Sequence, residues 1–456
     1  MSFLSGLAAK DVLVIGAGTS GKAVANFLKD KVQSVSFLDE KVSNIEGFQV
    51  VSEVSSSSKY EIAIVSPGWR KDHEFIGVLK STGTQVISEL DFAWRVKEDL
   101  APNQKWVAIT GTNGKTTTVQ MLENILKSAK VNAVACGNVG FPAISAVVDK
   151  SNYEILALEL SSFQIDWSEL PTYEAISVLN IAEDHIDWHE TFANYAQAKL
   201  KLLNKTKCAV LNLADPEIVL RTASWNGKKV FFGLDTPQSG EIGLVEELLV
   251  DRAFVVSSES AEVIAELSDI HPMVPHNVAN AMAAAGIALA LGVPHPVVKE
   301  GLASFKLDHH RLELVKELNG INWVNDSKAT NPHAALAALG SHTSNIWIAG
   351  GLAKGAKMDA LVQKSAKRIK AAILIGTDRE LIASALSKFA PEVQIFRLEK
   401  VGTAQDLMDA VVSKAMEISA KGDTVLLAPA CASMDQFTSY AQRGECFAHS
   451  VIKLVK

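Results

Sequence analysis

The chain of 456 residues holds only four cysteines, Cys136, Cys208, Cys431 and Cys446, and no two of them form a C-x-x-C pair. A disulfide framework is therefore not expected, and free thiols in a reducing compartment are. A basic tract is also missing. Its 44 Lys and Arg stand against 51 Asp and Glu, for a net charge of −7, so bulk charge gives no hold on nucleic acid or an anionic membrane. The longest apolar run, residues 281–293, is Ala-rich, too short to span a bilayer, and reads as a buried helix. The N-terminus shows no basic region ahead of an apolar core, so no signal peptide is expected. No segment is low-complexity and no repeat of fixed period is evident. What remains is a soluble cytoplasmic protein, 48% hydrophobic and 21% charged, long enough for several domains.

The most informative stretch is Gly111-Thr112-Asn113-Gly114-Lys115-Thr116-Thr117-Thr118. An apolar strand signal (106–110) precedes it, and apolar residues at helical spacing (119–126) follow. A glycine turn between strand and helix aims backbone N–H groups and the positive helix end at one spot, which suits a phosphate. Lys115 is placed to reach terminal phosphates and Thr116 to hold Mg²⁺. Ile109 stands where the usual pattern has its first glycine.

Strand signals at 11–15, 35–38 and 61–65 alternate with helical segments, and a polar, proline-containing linker is expected at 98–105. Further strands are expected at 154–158 and 175–179, small strands within 235–270, and a third alternating unit with strands at 321–324, 345–349, 371–375, 393–397 and 424–428. The fold class is α/β in three domains, 1–99, 100–305 and 306–456.

Gly16-Ala17-Gly18-Thr19-Ser20-Gly21 matches the dinucleotide fingerprint in letters, and Asp39 sits where an acidic ribose partner would. A lone match of this kind selects mainly for a tight turn before a helix, so a structural turn, a nicotinamide and another pyrophosphate ligand all stay open. Glu159 leaves a strand end near the phosphate loop, as a Mg²⁺ ligand would, although an exposed loop carboxylate is the plain alternative. His185 and His189 stand four residues apart, but the H-E-x-x-H zinc pattern is absent, and a Mg²⁺ or water contact through His185 fits better. Lys199 reads by default as a solvated helix lysine. In the third unit, 325–331, Lys354 in its glycine turn, and 428–437 place polar groups at three strand ends, where a crevice ligand binds. Cys431 has no evident partner histidine to make it a nucleophile.

Together these strings resemble the Mur ligases, ATP-dependent amide-forming enzymes of peptidoglycan precursor assembly. GTNGKTTT resembles the phosphate loop of that superfamily, which includes folylpolyglutamate synthase. Residues 325–331 and 430–437 resemble its D-glutamate-adding branch. The resemblance implies a Rossmann-like N-terminal domain for a UDP-substrate, a central phosphate-loop ATPase-like α/β domain, and a Rossmann-like C-terminal domain for the amino acid. It implies UDP-N-acetylmuramoyl-L-alanine, D-glutamate and ATP as substrates, Mg²⁺ (with Mn²⁺ as its substitute), and a monomer without nucleic-acid or membrane partners. Residue by residue, Ser20, Gly21, Asp39, Gly68, Asn138, Ser161 and Gln164 would bind the UDP-substrate. Gly111, Thr112, Asn113, Gly114, Lys115, Thr116 and Thr117, with Asn277, Arg311 and Asp326, would bind ATP. Thr116, Glu159, His185 and Lys199, the last as a carbamate, would hold metal, and Lys115, His185 and Lys199 would be catalytic. Lys328, Thr330, Lys354, Ser433 and Tyr440 would bind D-glutamate, with a phenylalanine expected where Tyr440 stands. The alternatives are a ligase of the superfamily that adds another amino acid, a folate polyglutamylase, an NAD-dependent oxidoreductase, and a non-catalytic nucleotide switch. The first domain counts against the folate enzyme, whose chain begins at the ATP domain.

Overall fold

The computed structural model describes residues 2–399 and 402–456. The chain divides into two compact units, residues 1–273 with 277–305 and residues 274–276 with 306–456.

The first unit contains two sheets. Strands β1 (Asp11–Ile15), β2 (Ser34–Leu38), β3 (Gln49–Val51), β4 (Ile62–Val65) and β5 (Gln85–Ser88) pair in parallel in the order β3-β2-β1-β4-β5. The central strands are unbroken apolar runs because both faces of a parallel sheet are covered; in β1 the last four residues are buried. The order reverses beside β1, which opens a crevice at the carboxyl end of that strand, where the 16–21 loop lies.

The second sheet is built from β6 (Lys105–Thr110), β7 (Ala133–Gly137), β8 (Ile155–Glu159), β9 (Ala175–Val178), β10 (Cys208–Asn212), β11 (Lys228–Phe232), β12 (Glu241–Val245), β13 (Leu248–Asp251) and β14 (Glu262–Glu266). Its order is β14-β13-β12-β11-β10-β9-β6-β8-β7. β12, β13 and β14 are an antiparallel meander within the expected 235–270 region. The Ala-rich helix, Pro275–Ala290, is buried along most of its length; small side chains let it lie close, and at Gly286 even a Cβ would come within 2.7 Å of Val210.

The expected linker at 98–105 is shorter than its composition suggests. The helix Glu89–Leu100 continues to Leu100 and β6 opens at Lys105. Glu98 and Asp99 belong to the last turn of that helix, and Lys97 closes it by donating from Nζ to Pro102 O at 2.9 Å.

The second unit holds one sheet of β15 (Glu313–Leu318), β16 (Ile321–Asn325), β17 (Asn345–Gly350), β18 (Ile369–Ile375), β19 (Gln394–Arg397) and β20 (Thr424–Leu427), in the order β15-β16-β20-β17-β18-β19. It is parallel except for the edge strand β15, which forms a hairpin with β16. The ends of β16, β17 and β20, the three strand ends that carry the polar strings, are neighbours. No helix among the described residues is long and apolar enough to cross a membrane.

Candidate functional site

The loop after β6 is rigidly built. Gly114 takes a left-handed φ of +84° immediately before the helix Lys115–Ser128, and a Cβ there would meet Asn280 Oδ1 at 2.4 Å. Asn180, at the end of β9, accepts from Asn113 N–H (2.8 Å) and donates to Asn113 O (3.1 Å). The Thr112 hydroxyl lies 2.9 Å from the Tyr195 hydroxyl and accepts from Ala182 N–H at 3.0 Å. Thr116 is the second residue of the helix, and Thr117 is buried beneath it.

Two lysines converge on one carbonyl. Lys115 Nζ donates to Gly111 O (2.9 Å) and Thr112 O (3.0 Å), and Lys199 Nζ donates to the same Gly111 O at 2.9 Å. Lys199, expected by default at a solvated face, is 2% exposed. The residue lies on the buried side of the helix Phe192–Leu200, over the Tyr195 ring. Burial first, and the Lys115 charge second, push its amine well below the usual lysine range. A neutral, buried amine is the form that reacts with carbon dioxide to give a carbamate.

Glu159 ends β8, 3% exposed. Its Oε1 accepts from Asn138 Nδ2 at 2.9 Å, and its Oε2 is buried without a hydrogen-bond partner. A buried carboxylate oxygen left over in this way is what a cation site needs. His185 takes a left-handed φ of +53°, its ring against Phe163 and near Asp184. Burial lowers its pKa, which leaves a neutral imidazole with a lone pair to offer. Lys115, Asp184 and Glu159 each lie within electrostatic reach of Lys199, and His185 within reach of Asp184 and both lysines. The residues expected to hold Mg²⁺ thus fit one: oxygen donors, a spare buried oxygen and an amine suited to becoming a carbamate oxygen donor. No cluster of three or more His, Cys, Asp or Glu able to hold a metal occurs among the described residues, so the threonine and the lysine are needed to complete a set. His189 is buried, with Nε2 2.8 Å from the Ser162 hydroxyl.

Around the 16–21 loop lies a cavity of about 530 Å³ whose wall includes Ser20, Asp39 and Gly68, together with Trp69, Arg70 and His73. Gly16 has φ +94°, and Gly21 is buried behind the wall, where a Cβ would fall 2.0 Å from Gly16 O. Asp39 staples the loop: Oδ2 accepts from Ala17 N–H and Oδ1 from Lys41 and Val42 N–H. Burial raises its carboxyl, but these three bonds outweigh it and leave the pKa below the usual value. Ser161 caps the helix Ser162–Trp167 in a reciprocal box with Gln164. Gln164 is 3% exposed and donates from Nε2 to the buried Glu89 at 3.1 Å, so it stands behind Ser161.

In the second unit, Asp326 follows β16 and accepts from Leu312 N–H. Enclosure by neighbouring atoms pushes its carboxyl up to about 7 against the opposing pull of Arg311. Lys328 Nζ sits 3.7 Å from the centre of the Tyr440 ring. Thr330 follows it, Lys354 takes a left-handed φ of +50° in the turn after β17, and Ser433 is 3% exposed in the loop after β20. The Cys431 thiol is buried and raised to about 12, which argues against a nucleophile.

Several contributors escaped the sequence reading. Asn180 and Asp184 lie just before His185, and Asn280 three residues after Asn277, but nothing local distinguishes them. Trp69 and Arg70 lie directly after Ser66-Pro67-Gly68. Arg443, 1% exposed, ties Ser327 to the Cys431 carbonyl; an arginine on the buried face of a terminal helix was the available signal.

The Mur ligase middle domain matches residues 109–288, and the Mur ligase glutamate ligase domain matches 310–431. The UDP-N-acetylmuramoylalanine–D-glutamate ligase of Streptomyces avermitilis is 41% identical over 97% of this chain and 98% of its own. The enzyme of that name from Thermobifida fusca is 41% identical over 98% of each. Among solved structures, a pseudomurein peptide ligase type C from Methanothermus fervidus matches 98% of this chain and 100% of its own with TM-score 0.60 at 18% identity. UDP-N-acetylmuramate-alanine ligase from Thermotoga maritima matches 97% of this chain and 99% of its own with TM-score 0.57 at 18% identity, so both show likeness of fold. With motifs in both units and relatives matched end to end, the chain belongs to the Mur ligases, in the family of the UDP-N-acetylmuramoylalanine–D-glutamate ligases.

Proposed function

We propose that the chain joins D-glutamate to UDP-N-acetylmuramoyl-L-alanine with ATP, as an ATP-dependent ligase of peptidoglycan precursor synthesis. The convergence of Lys115 and Lys199 on Gly111 O, beside the unpartnered oxygen of Glu159, is the observation that carries this reading. An L-alanine carboxylate is a poor electrophile. Its oxygen attacks the γ-phosphorus of ATP, ADP leaves, and an acyl phosphate forms. The amine of D-glutamate then attacks the acyl carbon, a proton leaves the nitrogen, and phosphate departs from the tetrahedral intermediate. Lys115, released from the loop carbonyls, faces the charge spread over the transferring phosphoryl group, while the N–H groups at the start of Lys115–Ser128 orient it. Mg²⁺, held by Thr116, Glu159, His185 and the Lys199 carbamate, would supply charge neutralisation at the phosphates.

The remaining roles follow the same reading. Ser20, Gly21, Asp39 and Gly68 take the UDP end, and Asn138, Ser161 and Gln164 the muramoyl-alanine end. Asn277, Arg311 and Asp326 meet the ATP nucleotide. Lys328, Thr330, Lys354, Ser433 and Tyr440 hold D-glutamate. Residues 1–99, 100–305 and 306–456 serve as the UDP-substrate, ATP and amino-acid domains of a cytoplasmic monomer. The nicotinamide alternative is set aside because it leaves the phosphate loop without a purpose.

The test is phosphate release from ATP with Mg²⁺ and UDP-N-acetylmuramoyl-L-alanine, run with D-glutamate, L-glutamate, L-lysine or meso-diaminopimelate. Release with D-glutamate alone, with the matching mass gain on the UDP-sugar, is the expected result. Release only with another amino acid overturns the assignment of the second unit, and no release with any overturns the ligase.

A further inference from the structure

The segment 185–190 is held in a conformation it would not choose alone. It enters at His185 with φ +53° and leaves at Glu190 with φ +69°, and neither residue is glycine. Left-handed backbone at such residues is disfavoured and persists only where the surroundings over-determine it. Between them lies a single helical turn, Ile186–His189, far too short to support itself. Something outside the segment fixes it.

Arg70 supplies much of that support. Its Nη1 donates to Trp188 O (3.1 Å) and Asp187 O (3.5 Å), carbonyls of the turn left without helical partners. Its Nη2 donates to Glu190 Oε1 at 2.9 Å, on the second left-handed residue. Asp72 holds the other edge of the guanidinium, with Nε–Oδ1 2.9 Å and Nη2–Oδ2 3.0 Å, so the planar group has one orientation. The residues on either side grip a second element. Trp69 O accepts from Trp167 Nε1 at 2.7 Å, and Lys71 Nζ donates to Asp166 O at 2.6 Å. Trp167 and Asp166 end the helix that Ser161 caps. On its other side, Arg70 lines the 530 Å³ cavity of the 16–21 loop.

We propose that Arg70 is a positioning residue for the ligation: it locks the strained segment that presents His185 to the wall of the cavity that takes the nucleotide end of the substrate. Filling that cavity then orders His185. Binding energy from a part of the substrate remote from the reacting carboxylate appears in kcat rather than in KM. The Arg70 side chain is 37% exposed and its carboxylate partners are each 66% exposed, so the ion pairs contribute little to folding, and their loss is felt mainly in alignment.

The inference rests on the ligase reading, and the experiment separates the two. Wild-type protein must release phosphate with D-glutamate; if it does not, the reading fails. Given an active wild type, Arg70→Ala lowers kcat about 10- to 100-fold with KM for the UDP-substrate changed less than about 3-fold. Arg70→Lys recovers part of the loss, and Glu190→Gln loses a few-fold that is not added on top of Arg70→Ala. Hydrogen exchange read without ATP or Mg²⁺ supplies the second arm. UDP-N-acetylmuramoyl-L-alanine protects both 16–21 and 183–190 in the wild type, but only 16–21 in Arg70→Ala. Equal protection of 183–190 in the two proteins, or an unchanged kcat in Arg70→Ala, overturns the inference.

Discussion

The loops at 16–21 and 111–115 are the same device used twice: a strand, a glycine turn with left-handed backbone, and a helix whose first N–H groups face outward. They differ in what surrounds them. An acid, Asp39, staples the first loop through the Ala17 N–H. The second is stapled by the neutral amide of Asn180 and backed by two lysines. Backbone geometry therefore suits both to phosphate-bearing ligands, but only the second has lysines bonded to the loop itself, where a phosphoryl group in flight would need them. A glycine fingerprint says where a ligand sits, and the side chains that staple the loop say whether chemistry happens there.

Removing the charge should break the comparison most sharply. Lys115→Ala is expected to lower turnover by about 10³-fold or more while the UDP-substrate still binds at the first loop. Parallel phosphate-release assays and calorimetry check this, and an active variant would end the distinction between the loops. Lys199→Ala should cost about 10²-fold or more if the proposed carbamate supplies a metal-side oxygen donor. Short carboxylic acids added to that variant should restore part of the rate, and their failure would count against the carbamate. The smallest effect is one of stability. Gly21→Ala forces a Cβ against the rigid Gly16 carbonyl, whereas Gly114→Ala meets a positive φ and the end of the Asn280 side chain. Chemical denaturation should show about 2–3 kcal/mol lost in the first case and about 1–2 in the second. The reverse order would mean that the first loop is the more yielding of the two.

The alternating α/β pattern, the phosphate loop and the three polar strand ends of the second unit were legible because each rests on local rules: apolar runs, glycine turns and helix starts. The edge strands β3, β5, β7 and β15 passed unread, since pairing with neighbours rather than local pattern decides them, and the interior strands β10 and β11 passed unread as well. The default reading of Lys199 as a solvated helix lysine fails, because one buried lysine on a helix looks like any other until Gly111 O is brought to it. Only the family resemblance pointed the other way. Asp184, Asn180 and Arg70 were out of reach for the same reason: their roles exist across distances of sequence that no motif spans. Arg70, for instance, acts on residues more than a hundred positions away.

The depressed amine of Lys199 has a consequence outside the protein. If the proposed carbamate forms, a residue that combines with dissolved carbon dioxide makes a gas part of the enzyme's composition. Protein purified in degassed buffer would then be sluggish until bicarbonate is returned, and the rate of wall-precursor synthesis would carry an imprint of the atmosphere in which the cell grows.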